Sequence, residues 1–243
     1  MIHPTAQIAG GAQIAADVQI GAYCKVSKDV KLASAVILEP HVTVEGPVTI
    51  GAKSHLYSFV HIGNGENPIL IGASCHIREF THIATDDRET GSVTIEDACY
   101  IMAYADIHTD VTIEEACIIT NNVIVSRGSH CQSNVIIGAK ASIAENCTIG
   151  TGTMIGGVSA VKHDIPPYCL VEGYPDATIR GLNLVGMRRG FQDRKSISNV
   201  KQVFIQLKKV DFAQEHATVL LPEINDMHAQ TFVRFVATHP ISR

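Results

Sequence analysis

A chain of 243 residues with 46% hydrophobic but only 5% aromatic side chains, and no Trp, has room for one large domain or two small ones. Its core is expected to stack small and branched side chains rather than large rings. A formal net charge of −5 speaks against binding a nucleic-acid backbone, no apolar run approaches the ~18 residues of a membrane span, and the opening MIHPTAQIAGG lacks the basic and apolar regions of a signal peptide, so the expected compartment is the cytoplasm.

From its start the chain keeps a six-residue beat. Ile2, Ile8, Ile14 and Ile20 open a series of aliphatic rungs that runs unbroken to Ile62. The count slips by three and resumes at Ile71, Ile77 and Ile83. It slips by a further six and then runs from Ile95 to Val161, with Cys131 the one rung that is not aliphatic. A helix repeats every 3.6 residues and a strand every two, so neither alone explains this pattern. A hexapeptide repeat is the signature of a parallel β-helix, in which each rung is a short strand buried against the coils above and below. Three sides make one coil. Cys24, Cys75, Cys99, Cys117 and Cys147 each precede a rung by two residues, which puts them on the inward face. With no C-x-x-C pair in the chain, they read as core thiols rather than disulfides or metal ligands.

The two slips share a side. Val44, Ile62, Ile83, Ile107, Val125, Ile143 and Val161 form what we call the first side, and both insertions, around 63–68 and 85–92, leave directly after one of its rungs. Loops that project from one edge of a rigid scaffold in adjacent coils are where sites are usually built. Along that edge follow His108, Thr109 and Asp110, then Arg127 and Gly128, Glu145, and His163 with Asp164. Just before the first-side rungs, facing outward, stand His61, His82 and Asp106 in successive coils. Such a ladder by itself reads as a solvated or subunit-facing wall, and with His108 beside it also suits an acid/base cluster or a metal site.

From Pro166 the register is expected to end, because proline cannot donate to a ladder. Residues 169–175 read as a short strand and a turn. From about Gln192 the period turns helical. Ile197, Val200, Val203, Phe204 and Leu207 share a face, with Ser196 or Ser198 as the expected cap. Further helices are expected at 214–226 and 228–238, with Val203, Phe204, Phe232 and Phe235 as their core. The chain thus divides into a solenoid over 1–165, a connecting segment over 166–190 and a helical domain over 191–243.

Several segments carry a resemblance, in order and over nearly the whole chain: HPTAQI, IREFTHI, IMAYAD followed by Asp110, ITNNV, DIPPY and GLNLVGMRRGF. The chain resembles the hexapeptide-repeat transferases, and among them the UDP-N-acetylglucosamine acyltransferases that begin lipid A synthesis. That resemblance implies a left-handed parallel β-helix with a small C-terminal helical bundle. It implies a homotrimer with clefts between neighbouring subunits. It also implies an acyl-carrier-protein thioester as donor, no separate cofactor, and a UDP-amino sugar as acceptor.

The chain departs from the family's pattern at the reacting positions. The family's general base falls on Thr109, and the nearest His stands one place earlier at His108. A second family His falls on Asp106, a Gly-His pair on Arg127 and Gly128, and two further His positions on Ala84 and Ala144. The first loop is also shorter than the family's. O-acylation needs a base to take the hydroxyl proton and a donor for the developing oxyanion. On this basis His108 is the candidate base with Asp110 orienting it, and His163 with Asp164, or Glu145, are further candidates. The candidate substrate-binding residues are His61, His82, Asp106, Arg127, Asn183, Arg188 and Arg189. The arginine pair, with Arg180, suits a diphosphate or phosphopantetheine. Two other readings fit the residues: a catalytically inactive paralogue that binds a nucleotide sugar or acyl carrier as a scaffold, and a metal enzyme like the γ-class carbonic anhydrases, with His61, His82 and His108 in view.

Overall fold

The six-residue beat folds into strands of two or three residues joined by tight corners. In the computed structural model, which describes residues 1–85 and 91–241, these strands stack into three sheets of nine, eight and ten strands. The first sheet collects the rungs from Ile8 to Val161, the second those from Ile14 to Ile149, and the third those from Ile20 to Ile155. Pairing within the repeats is parallel and in register, as Gln7↔Lys25 and Ile8↔Val26 begin it. The insertions do not disturb it: His61 pairs with His82, and His82 with Asp106. The coil is a left-handed parallel β-helix.

Most corners place a non-glycine residue in left-handed backbone, for example His41 at φ 65°, Asn122 at 60° and Lys140 at 61°. Such φ values are unfavourable for residues with a Cβ. The repeat offsets the cost by giving most such N–H groups a partner one coil away. His41 N donates to Ala22 O at 2.9 Å, Asn122 N to Ala103 O at 3.0 Å and Lys140 N to Asn121 O at 2.9 Å. Gly63, at φ 86° where the first loop leaves, has the Glu45 carbonyl pressed against its α-carbon, so no side chain fits there.

Inside, the rungs are sealed. Leu56, Ile62, Ile83, Ile107 and Ile119 have no exposed surface, and each such side chain stabilises the fold by ~1.5–3 kcal/mol relative to exposure. All seven cysteines are buried and unpaired. Burial pushes the Cys131 thiol up to about 12 and that of Cys147 up to about 11, so neither forms a useful thiolate near neutrality.

The solenoid does not stop at Pro166. Ile165 bridges to Ile149, and the strand Cys169–Glu172 pairs in parallel with Met154 and Ile155. Pro166 and Pro167 lie between these two pairings, at a corner where no ladder donor is required. The strand Thr178–Leu182 then turns back antiparallel and closes the third sheet. Helix α1 (Leu184–Gly190) was hidden in sequence by its two glycines; the Asn183 side chain caps it. Helix α2 (Arg194–Lys208) is capped by Asp193, whose carboxylate accepts from Lys195 N, and not by Ser196 or Ser198. Ser196 is buried and donates instead to Asp226 Oδ2 at 2.6 Å. The helix expected at 214–226 ends early as α3 (Gln214–Leu220), passing into a 3-10 turn over Leu221–Glu223 that contains Pro222. Helix α4 (Met227–Thr238) starts on the Asp226 cap. Val203, Phe204, Phe232 and Phe235 are all buried. Tyr168 joins the last coil to this bundle: its hydroxyl lies 3.1 Å from His228 Nδ1, and burial pushes that hydroxyl up to about 12. Among the described residues no helix is long and apolar enough to cross a membrane.

Candidate active site on the loop-bearing edge

The edge between the first and second sheets carries both insertions. The first follows Ile62; the second follows Ile83, and its residues 86–90 lie outside the described residues. The rest of the two loops are tied to each other and to the next coil. Thr85 Oγ1 donates to Asn67 O at 3.5 Å. Gly91 backs onto the corner after Ile107 so closely that an added Cβ would stand 3.0 Å from Asp110 Cβ and 3.1 Å from Thr109 Oγ1. The loops therefore pack against the coil that holds the candidate base.

Beside them runs the polar ladder. Parallel register places His61, His82 and Asp106 one above another on the outer face of the first sheet. The rings of His61 and His82 lie 5.4 Å apart, and His61 Nε2 is 3.5 Å from Glu45 Oε2. Asp106 sits between two imidazoles: Oδ1 is 3.1 Å from His82 Nδ1, and Oδ2 is 3.2 Å from His108 Nε2. His82, Asp106 and His108 side chains are all more than two-fifths exposed, so substrate can reach them and their pairing adds little to stability.

Ordinary strand alternation explains the arrangement. Asp106 and His108 are two residues apart and share the outward face, while Ile107 between them points in. Thr109 then turns inward. It is 6% exposed, and its hydroxyl oxygen has no hydrogen-bond partner among the described residues. Asp110 occupies the corner at φ 58°, exposed and against Gly91. The carboxylate beside His108 is thus Asp106, which the sequence pointed to as a substrate contact, and not Asp110. A carboxylate only accepts, so the His108 nitrogen that faces it carries the proton and Nδ1 keeps a free lone pair.

The remaining candidates are scattered. Arg127 is half-buried one coil further along the same edge. Asn183 is held at both ends of its amide: Oδ1 accepts from Gly186 N at 2.9 Å, and Nδ2 donates to Gly152 O at 3.0 Å. Arg188 and Arg189 are exposed in the last turn of α1, beyond the solenoid. Asp164 Oδ1 accepts from Thr148 N at 2.7 Å, while His163 faces Asp176 at 3.9 Å rather than Asp164. Glu145 is exposed. Glu45, at the foot of the ladder, escaped the sequence reading; its place one residue after the Val44 rung was the available signal. Among the described residues no three His, Cys, Asp or Glu side chains form a group able to hold a metal ion.

Known proteins share this architecture. Residues 164–242 match the family described as Udp N-acetylglucosamine O-acyltransferase, Domain 2. An acyl-[acyl-carrier-protein]–UDP-N-acetylglucosamine O-acyltransferase of Aliarcobacter butzleri is 38% identical over 148 residues, covering 60% of this chain and 56% of that protein. One of Nautilia profundicola is 35% identical over 169 residues, covering 65% of each. The alignments thus span between about half and two thirds of those relatives' length. The solved UDP-N-acetylglucosamine acyltransferase from Campylobacter jejuni superposes with a TM-score of 0.93 at 32% identity, covering 100% of both chains. With 32% identity over an alignment that covers both chains completely, the chain belongs to the UDP-N-acetylglucosamine acyltransferase family.

Proposed function

We propose that the chain is an acyltransferase that moves an acyl group from an acyl-carrier-protein thioester to a hydroxyl of a UDP-amino sugar, in a lipid A type of pathway, with His108 as its general base. The observation that carries this reading is the His108–Asp106 pair at 3.2 Å on the edge that bears both loops. His108 Nδ1 takes the proton of the acceptor hydroxyl as its oxygen bonds to the thioester carbonyl carbon. The carbon–sulfur bond then breaks, and the departing sulfur takes the same proton from the imidazolium. Asp106 holds the ring with Nδ1 outward and steadies the positive charge between these two moments. Histidine suits the task because its free form titrates close to neutrality.

The working form is a cytoplasmic homotrimer. Ile118 and Ile124 are exposed on two outer faces, and Phe59, Phe80 and Tyr104 on the edge between them, which favours association with further copies. Arg127, Arg188 and Arg189 supply guanidinium groups for the diphosphate or the carrier's phosphopantetheine.

Purified protein incubated with carrier thioesters of several chain lengths and UDP-N-acetylglucosamine tests this directly, with calorimetry of nucleotide-sugar binding alongside. Turnover above the uncatalysed rate is the expected result. Binding without turnover would replace the enzyme with a nucleotide-sugar-binding scaffold. The absence of both would overturn the assigned acceptor.

A further inference from the structure

Asp106 meets two imidazoles with its two oxygens, and a base needs only one. We infer that His82 is a positioning residue for the base, acting through Asp106; this rests on the reading of His108 given above. The register fixes the partners, since His82 and Asp106 are paired across adjacent parallel strands and share the outer face. Asp106 Oδ1 accepts from His82 Nδ1 at 3.1 Å and Oδ2 accepts from His108 Nε2 at 3.2 Å. A carboxylate on one flexible bond could rotate away from His108. Pinning its other oxygen from the coil below stops that rotation. The His82 ring is in turn backed by the His61 ring at 5.4 Å, whose Nε2 lies 3.5 Å from Glu45. His82 holds the carboxylate directly, and His61 in the coil before it backs the His82 ring.

The arrangement dictates opposite tautomers for two neighbouring histidines. Because the carboxylate can only accept, His82 carries its proton on Nδ1 and His108 on Nε2. A solvated imidazole favours Nε2–H, so the His82 tautomer is a signature that a loose surface ladder would not show.

The test uses the full-length protein with ¹⁵N-labelled histidine rings, assigned through His82→Asn and His108→Gln, above the pH at which the rings protonate. Nδ1–H at His82 with Nε2–H at His108, and a return of His82 alone to Nε2–H in Asp106→Asn, is the expected result. Nε2–H at both positions would overturn the inference, whether or not the protein turns over. Kinetics supplies a second arm. His82→Ala is expected to lower kcat about ten-fold with KM unchanged, the scale of one hydrogen bond to a charged group. His82→Asn keeps an N–H donor at the δ position and is expected to recover most of that loss, with both variants melting like wild type. An unchanged kcat in His82→Ala, or an Asn variant no better than Ala, would reject His82 as a positioning residue while leaving His108 in place. Turnover indifferent to His108→Ala would instead remove the base assignment, and the ring tautomers would still report whether Asp106 holds both histidines.

Discussion

Two edges of the same coil show how one repeat serves two purposes. On the edge between the third and first sheets, Tyr23, His41, Phe59, Phe80 and Tyr104 occupy the same corner position in five successive coils. Their rings stack at 5.2, 4.9, 5.0 and 4.9 Å, and the last three pairs are within 7° of parallel. Nothing interrupts that edge, so each corner repeats the one below at close to the inter-strand spacing of ~4.8 Å, a distance that suits flat rings. The edge between the first and second sheets is interrupted twice, and there the stacked groups are unlike. Glu45 faces His61, and Asp106 stands between His82 and His108. A regular edge gathers like with like and adds stability. An interrupted edge, lined by loops, brings acids beside bases in reach of solvent.

The two edges should separate on substitution. The largest effect is expected on the loop-bearing edge: His108→Ala should lower kcat for acyl transfer by ~10²–10⁴-fold and leave the denaturation midpoint unchanged. A midpoint that moved as well would make His108 structural and blur the contrast. Beneath both edges lies the shared core. Ile119→Ala should cost about 2–5 kcal/mol in chemical denaturation, because the fully buried rung has no solvent to refill its space. A loss under about 1 kcal/mol would mean that the coils relax around the gap.

Asp226 sharpens the contrast between solenoid and tail. Burial pushes its carboxyl up, but bonds from the Ser196 hydroxyl and the Ala229 N–H outweigh that and hold it below the usual carboxylate range. A value depressed by folding means that its stabilisation is present above ~pH 4 and is lost as pH falls through the lower folded-state value. Helical circular dichroism should therefore fade on acidification below that point, and Asp226→Ala should cost about 1 kcal/mol near neutrality and flatten the fade. Tyr23→Ala at the end of the ring stack, where a single ring pair is lost, is the smallest change. It should cost about 0.5–1.5 kcal/mol per lost ring pair in denaturation and leave acyl transfer at the wild-type rate.

Legibility followed regularity. Every rung from Ile8 to Val161 could be assigned to its side by counting sixes, and the two slips located the loop-bearing edge, because an insertion in a stacked coil has only a corner through which to leave. The His61–His82–Asp106 ladder was visible for the same reason. What escaped depended on direction rather than period. Asp106 and Asp110 both flank His108 in sequence, yet alternation sets Asp106 on the face of His108 and sends Asp110 to the corner. In the tail, Ser196 and Asp193 are both competent caps, and the choice went to Asp193 because packing draws Ser196 inward to Asp226. Helix α1 was missed because its propensity is poor and its start depends on Asn183, whose amide is also tied to Gly152 in the solenoid.

Hydrogen exchange on the full chain, free and with saturating UDP-N-acetylglucosamine, puts the central claim to its plainest test. The account predicts slowed exchange in segments 61–70, 82–92 and 106–112, and no change at the corners of Tyr23, His41, Phe59 and Phe80. Protection confined to the ring edge, or none anywhere, would contradict it.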